Sequence, residues 1–387
     1  MAEKKKQHYI PQFYLKLFSI HSAGTALAIY NIPSRKFIPN AKLKNQACRN
    51  YFYGSNLNNE NNLAIIESHS SSVIKKIIAN NAPPIQLSEE HHTILTFATF
   101  LKNRTVYAAD QQDELVDKLL KKAYGQHPLV RDNIDKFHIH LTDPIGTILS
   151  TAALNLPIAF DLAIKVIRND TPKAFIISDN PVVFYNQFLE QRKKSGGITG
   201  LACKGLQILL PLSPHHYLIF YDSEVYGIGG QQASISINNA SDILALNSLQ
   251  FISAKENLFF DHTVTNSDIK TIQTNAQRYR QPIKGHVDEY IGRSNHDRYH
   301  TLLHSYKQEI KCDLVLSFVS LLPAAQKYQL GNKAVHVRND NICHLHQQFI
   351  ILVEKGFYLA SQFPSFLAQI EIDPDFFTRH NIILDSD

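Results

Sequence analysis

The sequence predicts an α+β protein, mostly helical, with a small antiparallel sheet and a helical C-terminal appendage. Three observations carry this. Long stretches repeat apolar residues at helical spacing, short β-branched and aromatic runs lie between turn residues, and the texture changes beyond about Gly292. The chain has 387 residues, 44% of them hydrophobic, enough for a sizeable core and for two units. Residues 1–291 read as one domain and 299–387 as a mainly helical region.

The opening run Gln7-His8-Tyr9-Ile10-Pro11-Gln12-Phe13-Tyr14-Leu15 is dense in aromatic and polar groups. Pro11 biases Tyr9 and Ile10 towards extended backbone, and Phe13, Leu17 and Phe18 then recur at helical spacing. A strand-like lead into a docked helix is expected. Ala26–Tyr30 and Lys36–Ile38 read as two short strands around a turn at Asn31-Ile32-Pro33-Ser34. Leu63–Ala79 is helical by its apolar spacing, and Pro83-Pro84 ends it. Ser88–Val106 follows as a helix with Ser88 as N-cap, and Asp110–Tyr124 as an amphipathic third.

Ile145–Ile167 reads as one buried helix kinked at Pro157. Lys173–Ile177 reads as a buried strand stopped by Ser178-Asp179-Asn180-Pro181, with Val182–Tyr185 extended beyond it. Gln187–Gly205 is polar and reads as a mobile excursion, while Gln207–Leu210 and Tyr217–Tyr221 read as paired strands. Helices are expected at Asp242–Ala254, Ser267–Tyr279, across Tyr299–Gln329 and at His344–Leu359.

A balance of 39 Lys+Arg against 34 Asp+Glu is mildly basic, which permits nucleic acid as a partner without arguing for it. Cys48, Cys203, Cys312 and Cys343 are too scattered for a disulfide framework or a zinc knuckle, and a reducing cytoplasm fits them. No signal-peptide pattern follows Met1–Lys6. The most apolar stretch carries Asn155, Pro157, Asp161 and Lys165, so no membrane span is expected.

Polar groups on rigid frames occur at four places: His8 with Gln12, Glu67 on an apolar helix, Arg104 among Phe100, Leu101, Val106 and Tyr107, and Ser178-Asp179-Asn180 after a buried strand. Asn247 and Gln250 on one helix would add amides. Each has a plainer reading. Asp179 before Asn-Pro is a common turn, Arg104 a carboxylate's partner, Glu67 a solvated helix residue and His8 a structural one.

The opening motif, the Arg104 helix, Phe175-Ile176-Ile177-Ser178-Asp179-Asn180-Pro181-Val182-Val183 and Pro211-Leu212-Ser213-Pro214 occur in that order. Together they resemble a large bacterial family catalogued as domain of unknown function four-two-three-eight, over about residues 5–290. The resemblance carries no reaction. It implies only that His8, Gln12, Arg104, Asp179 and Asn180 belong together.

If they converge, they form a set suited to phosphodiester chemistry. Asp179 and Glu67 would hold Mg²⁺ or Mn²⁺, His8 would move a proton, and Arg104 would stabilise charge on phosphate, with Ser178, Asn247 and Gln250 binding substrate. The expectation is a cytoplasmic nuclease-type effector acting on RNA or DNA, of the kind used against phage. A ligand-sensing or protein-binding module is the alternative.

In the tail, Arg338-Asn339 and His344 resemble the motif of HEPN-type ribonucleases, which implies metal-free RNA cleavage with His344 as acid or base. Lys333–Val337 before them reads as a strand, which departs from that family. His296, His300 and His304 would share a helical face. The C-terminal helices would also serve a homo-oligomer.

Overall fold

The computed structural model describes residues 5–20, 24–54, 58–293, 299–331 and 336–372. The class is α+β. The larger sheet has five strands in the order Ser234–Ile237, Ala163–Asn169, His216–Tyr221, Gln207–Ser213 and Val183–Tyr185. Its first pair is parallel and the others antiparallel, so the sheet is larger and more mixed than the small antiparallel one expected. A four-stranded sheet holds Lys36–Lys42, Ala26–Asn31, Asn257–Phe260 and Ile177–Ser178.

Local chemistry starts the helices, at Ser88 where expected but also at Thr105 inside the stretch Ser88–Val106 expected as one helix, so the next helix begins at Val106 and not at Asp110. Ser88 accepts the His91 N–H at 3.2 Å to open Glu89–Asn103, and Thr105 accepts the Ala108 N–H at 3.1 Å to open Val106–Tyr124. Thr265 and Asp268 close a reciprocal capping box at Asn266–Ala276.

The opening segment is core, not fringe. Lys6–His8 pairs antiparallel with Cys48–Asn50, and Gln12–Lys16 is a short helix. Ile10, Tyr14, Leu15 and Phe18 are fully buried and pack with Ile94, Leu95 and Phe97 and with Ile208, Leu210 and Phe220 of the larger sheet. The Tyr14 hydroxyl donates to the Pro211 carbonyl at 2.6 Å, joining the segment to that sheet.

Three expectations need correction. Ile145–Ile167 is not one helix: Pro144–Asn155 is helical, Leu156–Ala159 is a 3₁₀ turn, and Ala163–Asn169 is a strand. Pro157 stops the helix, and β-branched Ile164, Val166 and Ile167 suit a sheet buried on both faces. Gln187–Gly205 is not simply an excursion: Gln187–Gln191 is helical, capped by Asn186, with Phe188 and Leu189 buried. Gly205 closes this segment at φ +80°, where a Cβ would stand 2.7 Å from that of Phe188.

The stretch from Tyr299 is the third. Tyr299–Lys307 is a strand paired antiparallel with Gly285–Arg293, and Val319–Leu321 pairs with Tyr226–Ile228. The run His300-Thr301-Leu302-Leu303-His304-Ser305-Tyr306 has no strict alternation of polar and apolar residues, so periodicity did not reveal the strand. His304 therefore lies on a strand, not a helical face, and His296 falls outside the described residues. The hairpin runs across the expected division between 1–291 and 299–387. Leu314, Leu316 and Ala325 share a hydrophobic cluster with Ile167, Tyr217 and Leu249. Asp340–Glu354 is helical and packs its Phe349 and Leu352 with Phe363 and Phe366. Among the described residues no helix is long and apolar enough to cross a membrane.

Candidate functional site

Arg104 caps the end of helix Glu89–Asn103 and is buried. Its Nη1 donates to Glu67 Oε1 at 2.6 Å, its Nε to the Tyr53 hydroxyl at 2.8 Å, and its Nη2 to the His8 carbonyl at 2.8 Å. The Tyr53 hydroxyl donates to that same carbonyl at 3.0 Å. Gln7, fully buried, accepts the Tyr53 N–H at 2.6 Å and donates to the Gly54 carbonyl at 3.2 Å. One guanidinium nitrogen and one phenol thus clasp the opening strand by its backbone, while the other two guanidinium nitrogens are held by Glu67 and Tyr53. Glu67, expected as a metal ligand, is the ion-pair partner of Arg104.

The His8 ring points the other way, half-buried, with Nε2 3.3 Å from the Lys44 carbonyl. Burial lowers its pKa, opposed by that carbonyl. Gln12 is exposed, its amide 3.4 Å from the ring nitrogens.

Asp179 is buried and accepts three backbone N–H groups: Lys255 at 2.7 Å on one oxygen, Glu256 at 2.8 Å and Asn257 at 3.0 Å on the other. Burial raises its pKa to about 6 against the pull of those amides. Asn180 donates to the Ser253 carbonyl at 3.1 Å and accepts the Thr105 hydroxyl at 3.4 Å.

Helix Ala240–Ser253 holds this segment as a neighbouring strand would. Asn247 accepts the Ile176 N–H at 3.0 Å and donates to the Ala174 carbonyl at 2.9 Å. One turn on, Gln250 accepts the Ser178 N–H at 2.9 Å and donates to the Pro181 carbonyl at 2.8 Å. Each carboxamide mimics a peptide group, so a strand without a full β-partner keeps its hydrogen bonds. The amides expected to bind substrate are committed to the main chain. The Ser178 hydroxyl is committed too, donating to Gln250 Oε1 at 3.1 Å and accepting the Asn180 N–H at 3.2 Å.

The two motifs are neighbours. Thr105, next to Arg104, reaches Asn180, and the charge of Asp179 adds to burial in raising the Tyr9 pKa. Among the described residues, no three His, Cys, Asp or Glu side chains gather as a metal-holding group.

The tail pair is apart from both. Arg338 makes a bidentate ion pair with Asp161 at 2.9 and 2.7 Å and donates to the Ile158 and Cys203 carbonyls at 2.9 and 3.2 Å. It precedes helix Asp340–Glu354, while His344 is exposed on that helix, 2.8 Å from the Gln348 amide. Of Lys333–Val337, residues up to 335 lie outside the described ones, and Val337 bridges to Cys203.

Beside the clasp lies a cavity of about 310 Å³. Lys102, Tyr107, Thr151, Asn180, Lys307 and Glu309 contribute to its wall. Lys102 Nζ sits 5.7 Å from the ring centre of Tyr107 and 6.0 Å from that of Phe184. Burial, and then Lys307, lowers the Lys102 pKa to about 7; burial lowers that of Lys307 as well. Neither ammonium has a hydrogen-bond or ion-pair partner among the described residues. Glu309 is held elsewhere, accepting the Ile198 N–H at 2.5 Å and the Gly196 N–H at 3.3 Å. The Thr99 hydroxyl, also on the wall, is buried without a partner.

Sequence reasoning missed these lysines. Lys102 does carry a signal. It follows Phe97, Ala98 and Leu101 on the apolar side of its helix, and no acid stands three or four residues away on either side. Lys307 offered none once its strand was read as helix.

The chain belongs to the family described as protein of unknown function (DUF4238), which it matches over residues 6–263. No curated protein and no solved structure matches it. The clasp, the strand-end motif and most of the cavity wall fall within the family region, whereas Lys307 and Glu309 lie beyond it.

Proposed function

We propose that this chain is a small-molecule-binding module of the sensing kind, in which His8, Arg104 and Asp179 build the frame of the binding cavity and perform no chemistry. One observation carries the reading. The polar atoms of Arg104 and Asp179 are committed to partners within the protein, while the cavity beside them is walled by the unpartnered Thr99 hydroxyl and by two lysines without a partner among the described residues. A carboxylate accepting three amides and a guanidinium with three acceptors are arrangements that fix loops. Work as a general base or a metal ligand would have to compete with those bonds.

The nuclease reading makes the opposite forecast, so one set of measurements separates them. The purified chain is incubated with RNA and DNA in Mg²⁺ or Mn²⁺, and the melting temperature of Asp179→Ala is compared with wild type. The binding-module reading expects intact nucleic acid and a large loss of stability. Cleavage that Asp179→Ala abolishes without lowering the melting temperature would overturn it. Binding itself is tested by thermal shift against a panel of charged and neutral metabolites. Thr151→Trp, an exposed position on the cavity rim, should abolish any shift that wild type shows. A panel without one wild-type response counts against the cavity.

A further inference from the structure

We infer that the cavity takes a small dianion bearing a tetrahedral oxyanion group, a phosphate or phosphate monoester, gripped between Lys102 and Lys307. This rests on the cavity being a binding site and goes further by naming the ligand's charge and chemistry.

The argument begins with what an empty cavity costs. Two ammonium groups share the wall of one small cavity, and the acid on that wall, Glu309, is already taken by two backbone amides. Such a pair repels itself and is only partly open to water, so it counts against the ligand-free fold. Lysines at a solvated surface carry no such penalty. An anion entering between them would cancel the repulsion and restore the missing hydrogen bonds. One carboxylate would neutralise one ammonium; a dianionic oxyanion answers both and has acceptors left for the Thr99 hydroxyl. The space suits a compact metabolite such as a mononucleotide and excludes a duplex, since small-ligand pockets begin at roughly 300 Å³.

The placement has a consequence for coupling. Lys102 sits on a helix of the family region, and Lys307 ends a strand beyond it. A ligand bridging them ties the hairpin Gly285–Lys307 to helices Glu89–Asn103 and Val106–Tyr124. The other groups facing Lys102 are aromatic: Tyr107, whose own pKa is raised by burial, and Phe184. Neither supplies a countercharge.

The test is isothermal titration of the full-length chain at pH 6.5 with sulfate, inorganic phosphate and AMP, with sodium chloride at matched ionic strength as reference. Saturable binding of at least one oxyanion is expected, weakened tenfold or more in Lys102→Gln and in Lys307→Gln. Phosphate and AMP of equal affinity would identify the free ion; a clear gain with AMP would identify a monoester. Limited proteolysis within 285–310 should slow when the oxyanion is bound. Lys102→Met guards against a folding artefact, because it should fold, melt above wild type without ligand, and fail to bind. Oxyanions that act no differently from chloride, or that bind equally to the lysine variants, overturn the inference. If neutral metabolites still shift wild type and Thr151→Trp blocks them, only the charge assignment has failed. If nothing responds, the binding-module reading falls with it.

Discussion

Arg104 and Lys102 stand two residues apart at the end of one helix, and their surroundings are opposites. Arg104 is buried with a carboxylate, a phenol and a carbonyl on its three nitrogens. Lys102 is half-buried beside two aromatic rings, with Lys307 near enough to lower its pKa. The first arrangement repays desolvation through hydrogen bonds and keeps a strand in place. The second leaves desolvation unanswered, and a fold holds such a group only where something outside the chain completes it or where other contacts offset the cost. Satisfied polarity marks the frame, and unsatisfied polarity marks where the frame is open to a ligand.

The contrast can be broken most forcefully at the frame. Arg104→Ala strips three hydrogen bonds and leaves Glu67 without its partner. A loss of about 3–5 kcal/mol is expected, read by denaturant unfolding. Asp179→Ala orphans three buried amides and should cost roughly as much. Gln250→Ala, which frees the Ser178 N–H and the Pro181 carbonyl, should cost about 2–3 kcal/mol. A frame variant that unfolds like wild type but loses a reaction would reverse the assignment.

At the cavity the sign inverts. Lys102→Met removes an unpaired ammonium and should stabilise the ligand-free protein by about 1 kcal/mol. The pH dependence sharpens this. Lys102 has its pKa lowered to about 7 in the fold, against about 10.4 in an unfolded chain. Between those values the unfolded state holds the proton that the folded state has released, so stability rises with pH across the window. Lys307, also lowered, acts in the same direction. Urea unfolding of wild type from pH 7 to 9 should show the rise, and Lys102→Met should flatten it. Sulfate affinity, measured over the same range because sulfate does not titrate there, should fall as the ammonium is lost.

The smallest effect is expected at His8. Among the described residues its side chain makes polar contacts of only 3.3 and 3.4 Å, and it is half-buried. His8→Ala should change stability by less than about 1 kcal/mol, while Gln7→Ala, one residue earlier and fully buried, should cost more. If His8→Ala proves the more damaging, the clasp acts through the ring and not through the backbone carbonyl.

Much of the fold was legible where local rules agree. Ser88 stands before a helix and caps it as read, because a side-chain oxygen that takes an orphan N–H depends only on near neighbours, whereas the Thr105 cap lay inside a stretch read as one continuous helix. The motifs were visible for a similar reason. Misreadings came where a local pattern is ambiguous. Ile145–Ile167 is apolar throughout, so periodicity could not separate the helix from the strand after Pro157. Tyr299–Lys307 looked helical because its histidines fall at fourfold spacing, although its partner strand lies just upstream.

By itself the sequence determined the α+β class, the helix start at Ser88, the family and the residues of the two motifs, because these follow from neighbouring side chains. Tertiary structure decided their roles. Arg104 takes partners 37, 51 and 96 positions away, and Gln250 takes its own about 70 away. Whether a polar atom is satisfied depends on what the rest of the chain places within 3 Å or so of it, and one-dimensional order does not contain that distance.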